Sequence, residues 1–408
     1  MNVLATNFSK IEMKMSRQVD AELASDIEKQ SVYISTDIDH LHVNSTLDGV
    51  MICLKPGADA AAVKDKTERF LAGMVSRFRK IEPTVHYRHD RADPHPIVAD
   101  VYEELQARGW LFEHGQGQVS LSGPALRLLH AVDQKLGRIY LARFDAQHRS
   151  YPAMIRADVL ARCGYFEMHP NAVSFVSHVV EDFDELERFR QANAGHSALQ
   201  VPGNDSFAKP HYCLNPAACF PCYEAYEGKT IPGDGTILTW MGRVFRYESR
   251  NIRGLDRLWE FNVRELVFLG TDAFVNDCRK EAVDIIGDIA EEWDLDLHIE
   301  TANDPFFATV YAAKTFFQQS LDVKSEIRLA IAPDETGKPR SIAGGSINLH
   351  GPFFGNRFDI KLEDASPAIS ACVGFGLERW VLALFSQHGF EPARWPAELR
   401  DIVFSKND

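Results

Sequence analysis

Residues 243–271 read Arg243-Val-Phe-Arg-Tyr-Glu-Ser-Arg-Asn-Ile-Arg-Gly-Leu-Asp-Arg-Leu-Trp-Glu-Phe-Asn-Val-Arg-Glu-Leu-Val-Phe-Leu-Gly-Thr. Apolar and polar residues alternate at both ends, around a polar centre that carries a glycine. The spacing predicts strand, long loop, strand. Period two places Arg246 and Glu248 on one face of the first strand. On the second, Arg257, Glu260 and Phe261 lead into Glu265. Charges facing a sheet interior are costly unless they meet a ligand or each other. An arginine fork matches phosphate oxygens, and an aromatic face can stack on a base. A solvated hairpin with cross-strand ion pairs would use the same residues, and spacing alone does not separate the two.

Two further stretches carry chemistry. Ser370-Ala-Cys-Val-Gly-Phe-Gly-Leu-Glu-Arg379 places Gly374 and Gly376 at a strand-to-helix junction, where backbone can approach closely. Arg379 then projects from the first helical turn, a place that also favours anions. In Gly344-Gly-Ser-Ile-Asn-Leu-His350, Ser346, Asn348 and His350 alternate and so share a strand face. An ordinary polar sheet face would look the same.

Working outward, Thr236–Trp240, Ile327–Ile331 and Gly345–His350 read as strands, and Ile97–Arg108, Pro124–Phe144, Phe274–Glu292 and Gly376–Phe385 as helices. Strands and helices mix without a βα alternation. This predicts an α+β fold built on a large antiparallel sheet, and excludes a doubly wound one. Neither a phosphate loop nor a dinucleotide fingerprint is present. Residues 1–31 form a polar segment without apolar period, either mobile or a loosely attached helix. Residues 32–95 read as a small α+β module: strands at Val32–Ser35, His40–Val43 and Gly49–Leu54, a helix over 58–80, a returning strand at Thr84–Tyr87, and a proline-rich linker. Residues 96–408 form the main domain.

The 408 residues are 45% hydrophobic and 25% charged, with net charge −14, which excludes a disordered chain and a nucleic-acid coat protein. The seven cysteines are an odd number spread over a long chain, which fits reduced thiols. No run approaches the ~20 apolar residues of a membrane helix, and the first residues lack a secretory pattern. A soluble cytoplasmic protein is expected.

Phe245-Arg246-x-Glu248, a loop, and Arg257-x-x-x-Phe261-x-x-x-Glu265 resemble motif 2 of class II aminoacyl-tRNA synthetases, and Gly374-Phe-Gly-Leu-Glu-Arg379 resembles motif 3. Arg162-Cys-Gly-Tyr-Phe-Glu-Met-His-Pro170 resembles a degenerate motif 1, the usual element of a homodimer interface. The likeness covers about 100–400 and is strongest to the atypical zinc-dependent seryl-tRNA synthetase branch, and within it to shortened amino acid–[carrier protein] ligases. The resemblance implies a class II antiparallel sheet flanked by helices, and a site for ATP and Mg²⁺. It implies Arg246 on the α-phosphate and Phe261 on adenine. Arg257 and Arg379 would grip the β- and γ-phosphates, with Arg379 also over the purine. Glu265, Ser346, Asn348 and His350 would face the amino acid. It also implies zinc held by Cys219, Glu248 and Cys372, with a fourth position open for the substrate amine. Cys219 and Cys222 also form a Cys-x-x-Cys pair, so a separate structural site is an alternative. Ala343-Gly-Gly supplies no acid where many class II enzymes hold Mg²⁺, which leaves Asp359 or Glu363 as candidates.

The activity implied is ATP-dependent activation of a small amino acid, glycine or alanine, and transfer to the phosphopantetheine thiol of an acyl or peptidyl carrier protein. An atypical seryl-type tRNA synthetase and a non-catalytic paralogue are the alternatives. No sustained heptads form a tRNA-binding arm, so tRNA is not the expected acceptor. Segment 64–91 has eight basic and four acidic side chains, a net +4 that would suit an acidic carrier protein.

Overall fold

The computed structural model describes residues 9–75, 82–92, 97–201, 203–302, 323–334 and 337–405. Near the N-terminus, β1 (Lys10–Lys14), β2 (Ile38–Val43) and β3 (Gly49–Leu54) form an antiparallel sheet in the order β1-β3-β2. The helices α1 (Ala21–Gln30) and α2 (Ala60–Val75) join it around one core of Leu23, Ile27, Ile38, Ile52, Val63 and Met74. Asp20 caps α1, its carboxylate accepting from the Leu23 amide at 2.8 Å.

Two expectations are corrected here. Residues 10–30 are not a loose segment: β1 pairs with β3, and Leu23, Ala24 and Ile27 bury one helix face. Val32–Ser35 is not a strand. Ser31–Tyr33 forms a 3-10 turn that continues α1, so its apolar alternation served a helical turn. The strand foreseen near residue 84 exists as β4 (Val85–His89), but it pairs with the large sheet rather than with the small module.

Beyond it, α3 (Val101–Ala107) leads to the hairpin of β5 (Leu111–Gly115) and β6 (Gln118–Leu121), then to α4 (Gly123–Phe144) and β7 (Gln147–His148). A small sheet of β8 (Met154–Arg156), β9 (Phe175–Val176) and β10 (Tyr212–Leu214) carries α5 (Ala157–Arg162), α6 (Tyr165–Met168) and α7 (Phe183–Asn193) in its connections. The segment resembling motif 1 thus folds as the end of α5, α6 and a 3-10 turn. After α8 (Phe220–Ala225) come β11 (Gly235–Phe245), β12 (Glu260–Gly270), α9 (Asp272–Glu292), β13 (Leu297–Thr301) and β14 (Lys324–Ile331). The chain ends with β15 (Arg340–Gly351), α10 (Phe353–Arg357), β16 (Ile369–Gly376), α11 (Leu377–His388) and α12 (Ala397–Val403).

The large sheet runs β4-β13-β14-β15-β16-β12-β11-β7 and is antiparallel except where β7 lies parallel to β11. Its pleat sorts the residues of β12. Leu266 and Phe268 enter a core with Leu128 and Val132 of α4, Ile285 and Ile289 of α9, and Trp380 of α11. Val267 and Leu269 belong to a second core on the other face, with Cys219, Tyr223, Phe354 and Cys372. Among the described residues no helix is long and apolar enough to cross a membrane.

Arg264 points to the helical side, where it is almost wholly buried. Its guanidinium meets Asp133 of α4 at 2.6 Å (Nη2) and 2.7 Å (Nε). Removing one partner strands a buried charge. Asp133→Ala is therefore expected to lower stability by about 3 kcal/mol in a denaturant titration. The double change Asp133→Leu with Arg264→Met should recover most of that loss.

Candidate active site

A cavity of about 530 Å³ opens on the face of the large sheet opposite α4, α9 and α11. This is the size of a small-molecule site. Cys219, Arg246, Glu248, Arg257, Phe261, Glu265, Ser346, Asn348, His350, Cys372 and Arg379 all line it. Residues from four separate stretches of sequence thus converge on one space.

At its base stand two thiols and a carboxylate. Cys219 immediately precedes α8, Cys372 lies in β16 opposite Asn348 and Val267, and Glu265 lies in β12 opposite Gly374. One donor atom from each of Cys219, Glu265 and Cys372 lies within 4.8 Å of the others, and all three residues are buried. Burial and the neighbouring Cys372 thiol push the Glu265 carboxyl well above its ordinary value. Three groups that would repel one another as anions are relieved by a cation, and two thiolates with one carboxylate are a known zinc donor set. Gly374 makes room for this: a Cβ there would stand 3.1 Å from Glu265 Oε2.

The carboxylate in this cluster is not the one foreseen. The first strand of the hairpin stops at Phe245, so Glu248 leaves the sheet face and introduces a 3-10 turn. There it pairs with the Arg257 guanidinium. Glu265, foreseen as a substrate contact, takes its place beside the thiols. Cys222 lies outside the cluster, buried in the second core.

Three guanidinium groups line the same cavity. Arg246 donates from Nε to the Pro216 carbonyl at 2.8 Å, and its guanidinium carbon stands 5.7 Å from the centre of the Phe261 ring. Arg379 is held by the carbonyls of Asp256 (2.7 Å) and Ala343 (2.9 Å), which fix its plane. Beside it, Glu378 accepts from the Asn262 amide at 2.9 Å and from Asn262 Nδ2 at 2.7 Å, locking α11 to β12 next to Phe261. Burial pushes the Glu378 carboxyl up to about 7. The protonated form is therefore favoured on folding. This stabilisation is fully present below the ordinary glutamate value and fades as pH rises through about 7. Wild-type stability should fall by about 3 kcal/mol across that window, and Glu378→Gln should flatten the fall. Denaturation midpoints at a series of pH values would check both.

On β15, Asn348 donates to Ser346 Oγ at 2.9 Å and lies 3.6 Å from Cys372 Sγ. His350 lies 3.7 Å from the same sulfur through Nε2 and 3.2 Å from the Tyr223 hydroxyl through Nδ1. The shared face foreseen for these three residues is thus turned toward the thiols. Neither magnesium candidate lines the cavity: Asp359 pairs with Lys361, and Glu363 accepts from the Gly233 amide. The acid beside that strand is Glu326 of β14, opposite Ser346 and paired with Arg328 at 2.9 Å. In the basic segment, Arg77, Arg79 and Lys80 fall outside the described residues. The rest divides between α2, where Arg69 pairs with Asp65, the strand β4, which holds Arg88, and Arg91 just beyond it.

The cavity also holds residues that the sequence did not single out. Lys29, Gln30 and Tyr33 come from the N-terminal module, and Asn171 from the turn after α6. No motif marks them, because their place depends on how the module docks.

Comparison with known proteins follows this geometry. No family model matches the chain. It is 32% identical over 319 residues to amino acid–[acyl-carrier-protein] ligase 1 of Bradyrhizobium diazoefficiens, an alignment covering 76% of this chain and 92% of that protein. It is 28% identical over 337 residues to the type-2 serine–tRNA ligase of Methanococcus aeolicus, covering 81% of this chain but only 62% of that one. Among solved structures, M. kandleri SerRS in complex with A. aeolicus tRNASec superposes with a TM-score of 0.68 at 22% identity, over 97% of this chain and 77% of that one. The cytoplasmic serine–tRNA ligase of Naegleria fowleri in complex with AMP gives 0.56 at 12%, over 84% and 78%. Both structures bear out the class II α+β sheet.

Proposed function

Because the chain belongs to the class II synthetase-like ligase family that holds the amino acid–[acyl-carrier-protein] ligases and the type-2 serine–tRNA ligases, we propose that it activates a small amino acid, glycine or alanine, with ATP and loads it on a carrier protein. The amino-acid carboxylate attacks the α-phosphorus and pyrophosphate leaves. The phosphopantetheine thiolate then attacks the acyl carbon and AMP leaves. The observation that carries this reading is the meeting of four cationic or aromatic nucleotide contacts with a thiol–carboxylate cluster in one cavity.

Each side chain has a task. Arg246 neutralises charge developing at the α-phosphate, as a preorganised donor does best out of water. Phe261 offers its ring to adenine, and Arg379, held planar by two carbonyls, covers the other side. Arg257 exchanges its bond to Glu248 for the outer phosphates. Cys219, Glu265 and Cys372 are the residues that would hold zinc, which supplies a Lewis-acid position for an unprotonated amine. Ser346, Asn348 and His350 orient the substrate beside them. Phe354, stacked on Tyr223 with ring centroids 3.8 Å apart and 4.9 Å from His350, narrows this end and supports a small side chain. Magnesium would accompany ATP, with Glu326 as the acid of that wall.

A carrier-protein thiol as acceptor is supported by the alignment of this chain with 92% of a relative named as an amino acid–[acyl-carrier-protein] ligase. The purified protein should exchange pyrophosphate into ATP with glycine or alanine, and load holo carrier protein with a mass shift labile to thiol reagents. Apo carrier protein should stay unloaded. Serine esterified to tRNA at a rate matching its activation would overturn the acceptor in favour of the synthetase reading. Removing the Arg246 or Arg379 guanidinium should slow exchange on the order of a hundredfold.

Metal analysis provides a separate check. About one zinc per chain is expected, lost in Cys372→Ser and in Glu265→Gln but kept in Glu248→Gln. Loss of zinc in the Glu248 variant with retention in the Glu265 variant would reverse the ligand assignment.

A further inference from the structure

One wall of the cavity comes from outside the catalytic sheet. Tyr33 sits in the 3-10 turn after α1, and its side chain reaches the cavity beside the loop that joins β11 to β12. The turn that holds it packs against the 249–251 turn, and its hydroxyl lies close enough to Asn171, Asn251, Glu248 and Arg257 to feel each of them. Asn251 belongs to the 3-10 turn that follows Glu248, and its amide donates to the Glu248 carbonyl at 3.0 Å. Tyr33 is thus joined to the Glu248–Arg257 pair through one short turn.

The same loop is tied to the module at three further points. Arg250 donates to the carbonyls of Asp39 (2.5 Å) and Ile38 (3.1 Å), and Asn251 Nδ2 donates to the Lys29 carbonyl at 2.8 Å. The loop needs such support, since Ser249 has a φ of 52°, a left-handed conformation that side chains rarely adopt. The cavity also shows an unmet demand at this wall: Asn171 Oδ1 is buried with no hydrogen-bond partner. A buried acceptor of this kind is normally satisfied, here by a donor on what enters the cavity.

We propose that Tyr33 is a positioning residue of the nucleotide site, and that the N-terminal module holds the 249–257 loop so that Arg257 meets the ATP phosphates. The inference rests on the ATP-activating reading above. Arg257 must leave Glu248 to grip a phosphate. If the loop were free, each binding event would bear the entropy of ordering it. Docked against Tyr33, Ile38 and Asp39, it is ordered in advance. Because the loop that Tyr33 meets carries Arg257 and not the thiols, its effect falls on ATP and spares the amino acid.

Tyr33→Phe keeps the ring and removes the oxygen. Its KM for ATP in pyrophosphate exchange, and its Kd for ATP by calorimetry, should rise roughly three- to tenfold, the scale of losing one hydrogen bond to a polar network. The KM for the amino acid and the thermal midpoint should stay at wild-type values. Arg250→Ala, which cuts the tether without entering the cavity, should change ATP affinity in the same direction. The double variant should lose less than the sum of the two, since both act through one loop. Wild-type ATP affinity in both single variants overturns the proposal, as does an equal rise in both KM values. Should Tyr33→Phe fold poorly, Arg250→Ala alone decides. A wild-type protein that binds ATP yet exchanges no pyrophosphate with any amino acid fails the activation reading, while ATP calorimetry on the variants still judges Tyr33. A wild-type protein that binds no ATP refutes both.

Discussion

The register that sets Glu265 opposite Gly374 across β12 and β16 fixes two faces of the molecule together. It turns Leu266 and Phe268 into the helical core and brings the Glu265 carboxylate toward Cys372. A slip of one residue would exchange them, placing a carboxylate among α4, α9 and α11 and a leucine beside the thiols. The apolar core therefore holds the register, and the register holds the chemistry. Arg264 adds a polar pin on the core side through Asp133, and Gly374 keeps the space that the carboxylate needs. Cys219 reaches the cluster from a different part of the chain, so the base of the cavity closes only when the α8 segment packs on the sheet.

Much of this was legible because antiparallel strands announce themselves by alternation. The two halves of 243–271, the strand through Ser346 and the junction at Gly374–Gly376 lie where their patterns place them. Period two also put Ser346 and Asn348 on one face, and the structure turns that face to Cys372. The same rule failed for Glu248 for a physical reason. Alternation assigns a face only while the strand lasts, and β11 stops at Phe245 before a turn with left-handed backbone at Ser249. Nothing in the local pattern marks that end, since Arg246 and Tyr247 continue the alternation.

The N-terminal part was the least legible. Val32 and Ile34 alternate like a strand but lie in and beside a helical turn, because α1 continues into it and packing against β2 overrides local propensity. Likewise β4 is a strand as read, but its partner β13 lies more than two hundred residues away in sequence, so the pattern could not say which sheet it would join. Tyr33 carried no signal at all. It gains meaning only from Asn171 and the 249–257 loop, which tertiary structure alone brings to it. The Arg257 end of the cavity is thus shared between the large sheet and the small module, and the thiol end is built by the sheet and the α8 segment.

The central claim is that two thiolates and the Glu265 carboxylate hold a metal with one position left for a substrate amine. X-ray absorption at the zinc edge of the purified protein tests it most directly. The account predicts two sulfur ligands at about 2.3 Å and two lighter ligands at about 2.0–2.2 Å, with the lighter shell changing when glycine or alanine is added. A shell of four sulfurs, or one without sulfur, would contradict it, as would a light shell indifferent to the amino acid.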